Sequence, residues 1–240
     1  MTPALVLTAH GSADPRSAAT TRAVAEQILL LRPDLNVQVA FCEKSTPNLR
    51  DVLAGLDGPA IVTPLLLASA YHARVDIPAI IAAAEVERSV PVTQADTLGE
   101  DPRLVEVLRQ RVTECAGDGG NDDMGVLVVA VGSSDADANA RTAGVAESLG
   151  RDHPRAAVGL AFATGPTPSV ADGIERLRDL GARRIVIAPW FIAPGRITDR
   201  LAATARLSGA QMADPLGAHP LVAETLLDRF DAARRGRAAA

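Results

Sequence analysis

The strongest constraint on how this chain folds is an internal repeat at an offset of 121 residues. Leu5-Val6-Leu7-Thr8-Ala9-His10-Gly11-Ser12-Ala13-Asp14 is an apolar run that ends in a histidine, a glycine and a small hydroxyl residue. Val126-Leu127-Val128-Val129-Ala130-Val131-Gly132-Ser133-Ser134-Asp135 repeats that frame with valine in place of the histidine. Between Leu5–Glu26 and Val126–Glu147, nine of 22 paired positions are identical. The same offset pairs Phe41 with Phe162 and Thr46-Pro47 with Thr167-Pro168, while Pro64 falls opposite Pro189 and Ala95-Asp96-x-Leu98-Gly99 opposite Ala213-Asp214-x-Leu216-Gly217. The expectation is two duplicated domains, 1–115 and 124–240, joined by the polar, glycine-rich stretch from Ala116 to Asp123.

Within the first half the pattern alternates. Apolar runs over Pro3–Ala9 and Ala60–Leu67 suit strands covered on both faces, Asn36–Cys42 is rich in β-formers, and Val90–Ala95 reads as a short fourth strand. Helical spacing marks Ser17–Leu31, Ile77–Arg88 and Pro102–Glu114, with Ser12 or Asp14 available to cap the first of these. Thr46 is the expected N-cap of another helix through Leu56, with Pro47 at its first position, and Ala68–Asp76 is expected as a loop. Strands alternating with helices through short connections imply an α/β fold, each domain a parallel sheet flanked by helices. In such sheets ligands gather outside the carboxyl ends of the strands.

Hydrophobic residues make up 48% of the chain but aromatics only 2%, so the core must be aliphatic. The net charge of −5 argues against a general nucleic-acid or anionic-membrane surface, which needs a basic field. The two cysteines, Cys42 and Cys115, have neither disulfide-framework nor zinc-finger spacing. With no signal-peptide pattern and no apolar stretch of membrane-spanning length, the expected location is the cytoplasm.

The chemistry gathers at one sheet edge. His10 ends the first strand, Glu43 follows the second, and His72 lies in the loop after the third. Val131 replaces His10 in the copy, and the loop corresponding to His72, Ala193-Pro194-Gly195-Arg196-Ile197-Thr198-Asp199, has no histidine, so the repeat frame requires neither imidazole. Two imidazoles and a carboxylate form a plausible open site for a divalent first-row metal. Arg16, Lys44 and Arg74 lie near the same edge and suit anionic groups. His153 sits in a polar turn, His219 in a capping position, and Cys42 reads as a buried strand end.

Thr8-Ala9-His10-Gly11-Ser12, Phe41-Cys42-Glu43 with Thr46-Pro47, and Pro64-Leu65-Leu66-Leu67 with Tyr71-His72-Ala73-Arg74-Val75-Asp76-Ile77-Pro78 resemble the class II chelatases, in particular the two-domain sirohydrochlorin chelatase and cobaltochelatase group. The resemblance covers nearly the whole chain, including the duplication and Pro189-Trp190-Phe191-Ile192-Ala193-Pro194-Gly195. It implies an ATP-independent lyase that inserts Fe²⁺ or Co²⁺ into sirohydrochlorin, an eight-carboxylate tetrapyrrole, in sirohaem or cobalamin biosynthesis. It implies His10 and His72 as active-site histidines with Glu43 beside them on the metal, and no cofactor beyond the metal substrate. Arg16, Lys44 and Arg74, with Arg196 or Arg200 of the second half, are then the candidates for the substrate carboxylates. The macrocycle is expected in a cleft between the domains of a monomer or homodimer.

Two other readings are open. A non-catalytic metal or tetrapyrrole carrier would keep the site without turnover. A histidine phosphatase would need an arginine beside the histidine, where this chain has Ala9. An α/β-hydrolase has less support still, since the chain lacks a Gly-x-Ser-x-Gly elbow.

Overall fold

The computed structural model describes residues 2–68, 72–88, 91–117, 123–152, 156–165 and 167–239. They form two compact units, one of residues 1–101 with 218–240 and the other of residues 102–217.

In the first unit, β1 (Ala4–Ala9), β2 (Val37–Phe41), β3 (Ala60–Pro64) and β4 (Val92–Gln94) make a parallel sheet in the order β2-β1-β3-β4. Every residue of β1 is buried, as the unbroken apolar run requires of a central strand covered on both faces. Alternation sends Val6, with Ala40 and Val62 of the neighbouring strands, into one core with Leu49, Leu53, Ile77 and Ile81. Those last four belong to α2 (Leu49–Ala54) and α3 (Ile77–Arg88). Leu5 and Leu7, wholly buried, point to the opposite face. Helix α1 (Pro15–Leu31) begins on Asp14, whose carboxylate accepts from the Arg16 amide, so Asp14 is the cap of the two candidates.

Two local expectations change. Asn48, not Thr46, caps α2: its side chain accepts from the Asp51 amide at 2.9 Å and donates to the Asp51 carboxylate at 2.7 Å. The preceding residues are drawn back to the sheet, where the Phe41 amide donates to the Pro47 carbonyl at 3.0 Å. Thr46-Pro47 and Thr167-Pro168 are both cis, and the Phe162 amide donates to Pro168 in the same way. The expected loop after β3 is in part helical: a π-helical turn, His72–Asp76, runs directly into α3. Residues 69–71, including Tyr71, lie outside the described residues, as does Val90.

The second unit repeats the sheet. β5 (Met124–Ala130), β6 (Ala157–Phe162), β7 (Arg184–Pro189) and β8 (Gln211–Met212) run parallel in the order β6-β5-β7-β8. Its helices are α4 (Pro102–Ala116), α5 (Ala136–Asp152), α6 (Val170–Asp179) and α7 (Arg196–Leu207). A Ser169–Asp172 capping box starts α6, and the α6 residues Ile174 and Leu177 pack with Leu127, Val129 and Ile187.

The sequence repeat and the compact units divide the chain differently. By the repeat, α4 closes the first half and α8 (Pro220–Ala239) the second. By packing, α4 lies on α5, β7 and β8, and α8 lies on α1, β3 and β4. The Arg184 guanidinium holds the end of α4 through the Ala116 carbonyl at 2.7 Å. Arg229 of α8 donates to the Thr97 and Leu98 carbonyls at 3.1 and 3.0 Å and pairs with Asp101 at 3.1 Å. The chain therefore leaves the first unit after Asp101 and rejoins it at Ala218. Of the expected linker, Ala116 ends α4 and Gly117 follows at positive φ, whereas residues 118–122 lie outside the described residues. Among the described residues no helix is long and apolar enough to cross a membrane.

Candidate active site

Register decides which residues meet at the carboxyl edge of the first sheet. Ala9 pairs with Phe41 and Thr8 with Pro64, so the chain leaves β1, β2 and β3 at neighbouring points. The β1–β2 ladder continues past the strands: the Cys42 amide donates to Ala9 and the Glu43 amide to His10, each at 3.0 Å. That last bond fixes the backbones of His10 and Glu43 against each other.

Gly11 makes the approach possible. It adopts φ +92°, and a Cβ built there would lie 1.8 Å from the Glu43 carbonyl oxygen. Only a glycine combines that dihedral with that contact. Ser45 then ties the two loops together, since its hydroxyl accepts from the Ser12 amide at 3.1 Å and donates to the Ser12 carbonyl at 2.9 Å. Arg22 of α1 lies over the Phe41 ring and donates to the Thr46 carbonyl at 3.1 Å, steadying the far end of the Glu43 loop.

The side chains converge as the backbones do. His10 Nε2 lies 3.1 Å from Glu43 Oε1, with the two side chains 36% and 44% exposed, while His10 Nδ1 is buried. Lys44 Nζ lies 2.6 Å from the same Glu43 oxygen. Two metal ligands at about 2.1 Å, set at a right angle, stand about 3.0 Å apart. His10 Nε2 and Glu43 Oε1 stand at ion-pair distance, close enough for both to face one ion.

The third expected ligand is only partly visible. The backbone of His72 opens the π-helical turn, and its side chain lies outside the described residues. Among the described residues no group of three or more His, Cys, Asp or Glu side chains gathers at metal-binding range, so the described site is the His10–Glu43 pair.

Cys42, next to Glu43, is held as a thiol in the metal-free protein. Burial, then the charges of Asp76 and Glu43, push its thiol from 9.0 up to about 11. Asp76, at the end of the π-helical turn, therefore feels the same edge as Glu43. At pH 8 alkylation of Cys42 by iodoacetamide is expected to run about a hundredfold below that of an unperturbed thiol, rising until pH approaches about 11. Site-resolved mass spectrometry over pH 7–11 checks this; rapid labelling at pH 8 would contradict it.

The basic residues divide. Arg16 is held by Asp14 through contacts of 3.0 and 2.6 Å, and Lys44 by Glu43. Arg74 is exposed on the π-helical turn. Arg196 and Arg200 are exposed on the first turns of α7 in the second unit. An open groove of about 530 Å³ beside Glu43 is lined by Cys42, Lys44, Asn48, Arg50 and Ile80. His219 caps α8, accepting from the Leu221 amide at 3.2 Å, and His153 lies outside the described residues.

The copy has the same scaffold without the chemistry. The Ala163 amide donates to Ala130 at 2.8 Å and the Thr164 amide to Val131 at 2.9 Å, reproducing the β1–β2 extension. At the offset of 121, Val131 stands for His10, Thr164 for Glu43, Gly165 for Lys44 and Pro166 for Ser45. The Ser133 loop is instead tied to Asn139 of its own helix by reciprocal bonds of 2.9 and 2.7 Å. Ser45 escaped the reading of the sequence, and Pro166 opposite it was the available signal.

Comparison with known proteins follows the same division. The CbiX family model matches residues 4–115 and again residues 125–233. A sirohydrochlorin cobaltochelatase of Priestia megaterium is 28% identical over 95% of this chain and 78% of its own length. A sirohydrochlorin ferrochelatase of the same organism is 27% identical over 68% of this chain and 63% of its own length. In fold, the chain is similar to the structure of SirB from Bacillus subtilis with Fe³⁺, with a TM-score of 0.82 at 21% identity over 96% of this chain and 95% of that one.

Proposed function

Because the chain belongs to the CbiX family, matched along both halves, we propose that it is a sirohydrochlorin chelatase, a lyase that inserts Fe²⁺ or Co²⁺ into sirohydrochlorin in sirohaem or cobalamin biosynthesis. The two Priestia megaterium relatives carry the substrate, one named for cobalt and one for iron. The observation that carries the site is the His10–Glu43 pair, built on a backbone frame that the copy keeps while holding Val131 and Thr164.

The net reaction exchanges one M²⁺ for two pyrrole N–H protons. The metal must shed water, and each pyrrole proton needs a base as the ring nitrogen takes the metal. Neutral His10 can offer an imidazole nitrogen to the ion or accept a proton, and Glu43, whose Oε1 lies 3.1 Å from that nitrogen, can offset the charge of the cation. His72 is proposed as the second imidazole, delivered by the π-helical turn. A partly exposed pair holds an ion weakly and leaves coordination positions open, as a site that must pass its metal on requires. Arg16, Lys44 and Arg74 are proposed to meet the substrate's carboxylates, and no cofactor beyond the metal is assigned. All three proposed metal-handling residues, His10, Glu43 and His72, belong to the first unit. Two free cysteines, one in each unit, agree with a cytoplasmic setting.

Anaerobic incubation with sirohydrochlorin and Co²⁺ or Fe²⁺, followed by absorbance, tests the reading. The expected result is conversion of many equivalents of metal-free substrate per chain. Conversion that halts at one equivalent would show a carrier instead.

A further inference from the structure

Lys44 is the single lysine among 24 basic residues, and it sits where the backbone disfavours any side chain. Its φ is +57°, and no other described non-glycine residue has a positive φ. The copy places Gly165 at the corresponding position with φ +82°. The turn therefore demands a left-handed residue in both units, and only in the unit carrying the histidines is that demand met by a residue that strains to meet it. Strain of this kind persists where the side chain has a role. The side chain reaches Glu43 Oε1 at 2.6 Å, the oxygen that also lies 3.1 Å from His10 Nε2.

We infer that Lys44 is a tethered counter-ion that occupies Glu43 Oε1 in the metal-free protein and must be displaced by the incoming divalent cation, so that the site holds its metal loosely. The inference rests on His10 and Glu43 handling the metal. An ammonium is a compact point charge on a flexible stem, able to sit on one carboxylate oxygen and to swing away, which the planar fork of an arginine does less readily. Coulomb attraction to Glu43 is thereby offset in part before the metal arrives, and the metal gains only the difference. Lys44 is in this sense a positioning residue that acts through Glu43.

Direct titration of the full chain with Co²⁺ alone, without tetrapyrrole, tests it across K44M, K44G, K44R and E43Q. K44M and K44G are expected to bind Co²⁺ about two- to fivefold more tightly than wild type, the range an exposed ion pair contributes. K44R, which keeps the charge, is expected to lie nearer wild type. K44G restores the residue type of the copy, so its unfolding midpoint should be no lower than wild type, which establishes that the backbone is kept. The gap between wild type and K44M should narrow toward 1 M salt, where the screening length of about 3 Å approaches the 2.6 Å contact. In turnover, the apparent KM for Co²⁺ should fall in K44M without a rise in kcat. Unchanged or weaker Co²⁺ binding by K44M, with E43Q weakened, overturns this inference alone. Equal binding by wild type and E43Q overturns both the inference and the metal site beneath it.

Discussion

His10→Val is expected to leave the protein folded and reduce metal insertion by about 10²–10⁴-fold, the range associated with losing a positioned acid–base group. The expectation of an intact fold comes from the molecule itself. Val131 occupies the same place in the copy, follows the same buried strand, and accepts the same backbone hydrogen bond, from Thr164 at 2.9 Å where His10 accepts from Glu43 at 3.0 Å. Valine at position 10 should therefore change stability by no more than about 1 kcal/mol. Steady-state turnover with sirohydrochlorin and Co²⁺, alongside thermal unfolding, separates the two effects. Retention of most activity would remove His10 from the chemistry, and unfolding would show that the imidazole serves the structure.

Gly11→Ala is expected to do the reverse, damaging the fold and the site together. Its Cβ would overlap the Glu43 carbonyl oxygen at 1.8 Å, and an alanine at φ +92° is itself strained. The Glu43 backbone must move away, which breaks the hydrogen bond its amide donates to the His10 carbonyl and pulls apart the pair that bond aligns. A loss of about 4 kcal/mol is expected, lowering the midpoint of the first unit by about 15 °C. Gly99→Ala is the control: φ is +66° there and a Cβ would meet nothing within 4 Å, so only the dihedral cost of about 1–2 kcal/mol applies. Equal losses in the two variants would mean that the close approach to Glu43 has no energetic weight.

Ser45 adds to the same alignment from the other side. Its hydroxyl spans the His10 and Glu43 loops, whereas the corresponding loop of the copy is tied back to Asn139 on its own helix. Both units couple their two loops, the first through Ser45 on Ser12 and the copy through the Thr164 hydroxyl, which donates to the Val131 carbonyl at 2.8 Å. The Ser45 tie lies beside the imidazole and the carboxylate, where two groups on separate loops keep a spacing of 3.1 Å.

Much of this could be read from the chain. Unbroken apolar runs such as Leu5–Ala9 and Val126–Ala130, too short for a buried helix and followed by helical patterns, read as strands buried on both faces of a parallel sheet. The repeat marked the residues with work beyond packing, because His10 and Glu43 stand where the copy has Val131 and Thr164. Local turn chemistry was less legible: Asn48 captured the start of α2 from Thr46 because Pro47 offers its carbonyl to Phe41 in the sheet. Neither the left-handed backbone of Lys44 nor its reach to Glu43 has a sequence signature apart from the glycine opposite it in the repeat.

The sequence by itself determined the two sheets, their parallel strands and the edge at which the chemistry collects, because periodicity is local and strands alternating with helices must cross over to pair in parallel. Only the tertiary structure decided which sheet each closing helix serves. The buried side of α4, Leu104, Val105, Leu108 and Val112, says that one face must leave water but names no partner, and α8 stands after β8 just as α4 stands after β4. The apolar driving force has no direction of its own. The choice falls to long-range packing, of α8 on α1, β3 and β4 and of α4 on α5, β7 and β8, to which Arg229 and Arg184 add hydrogen bonds, and which exists only once the chain has folded.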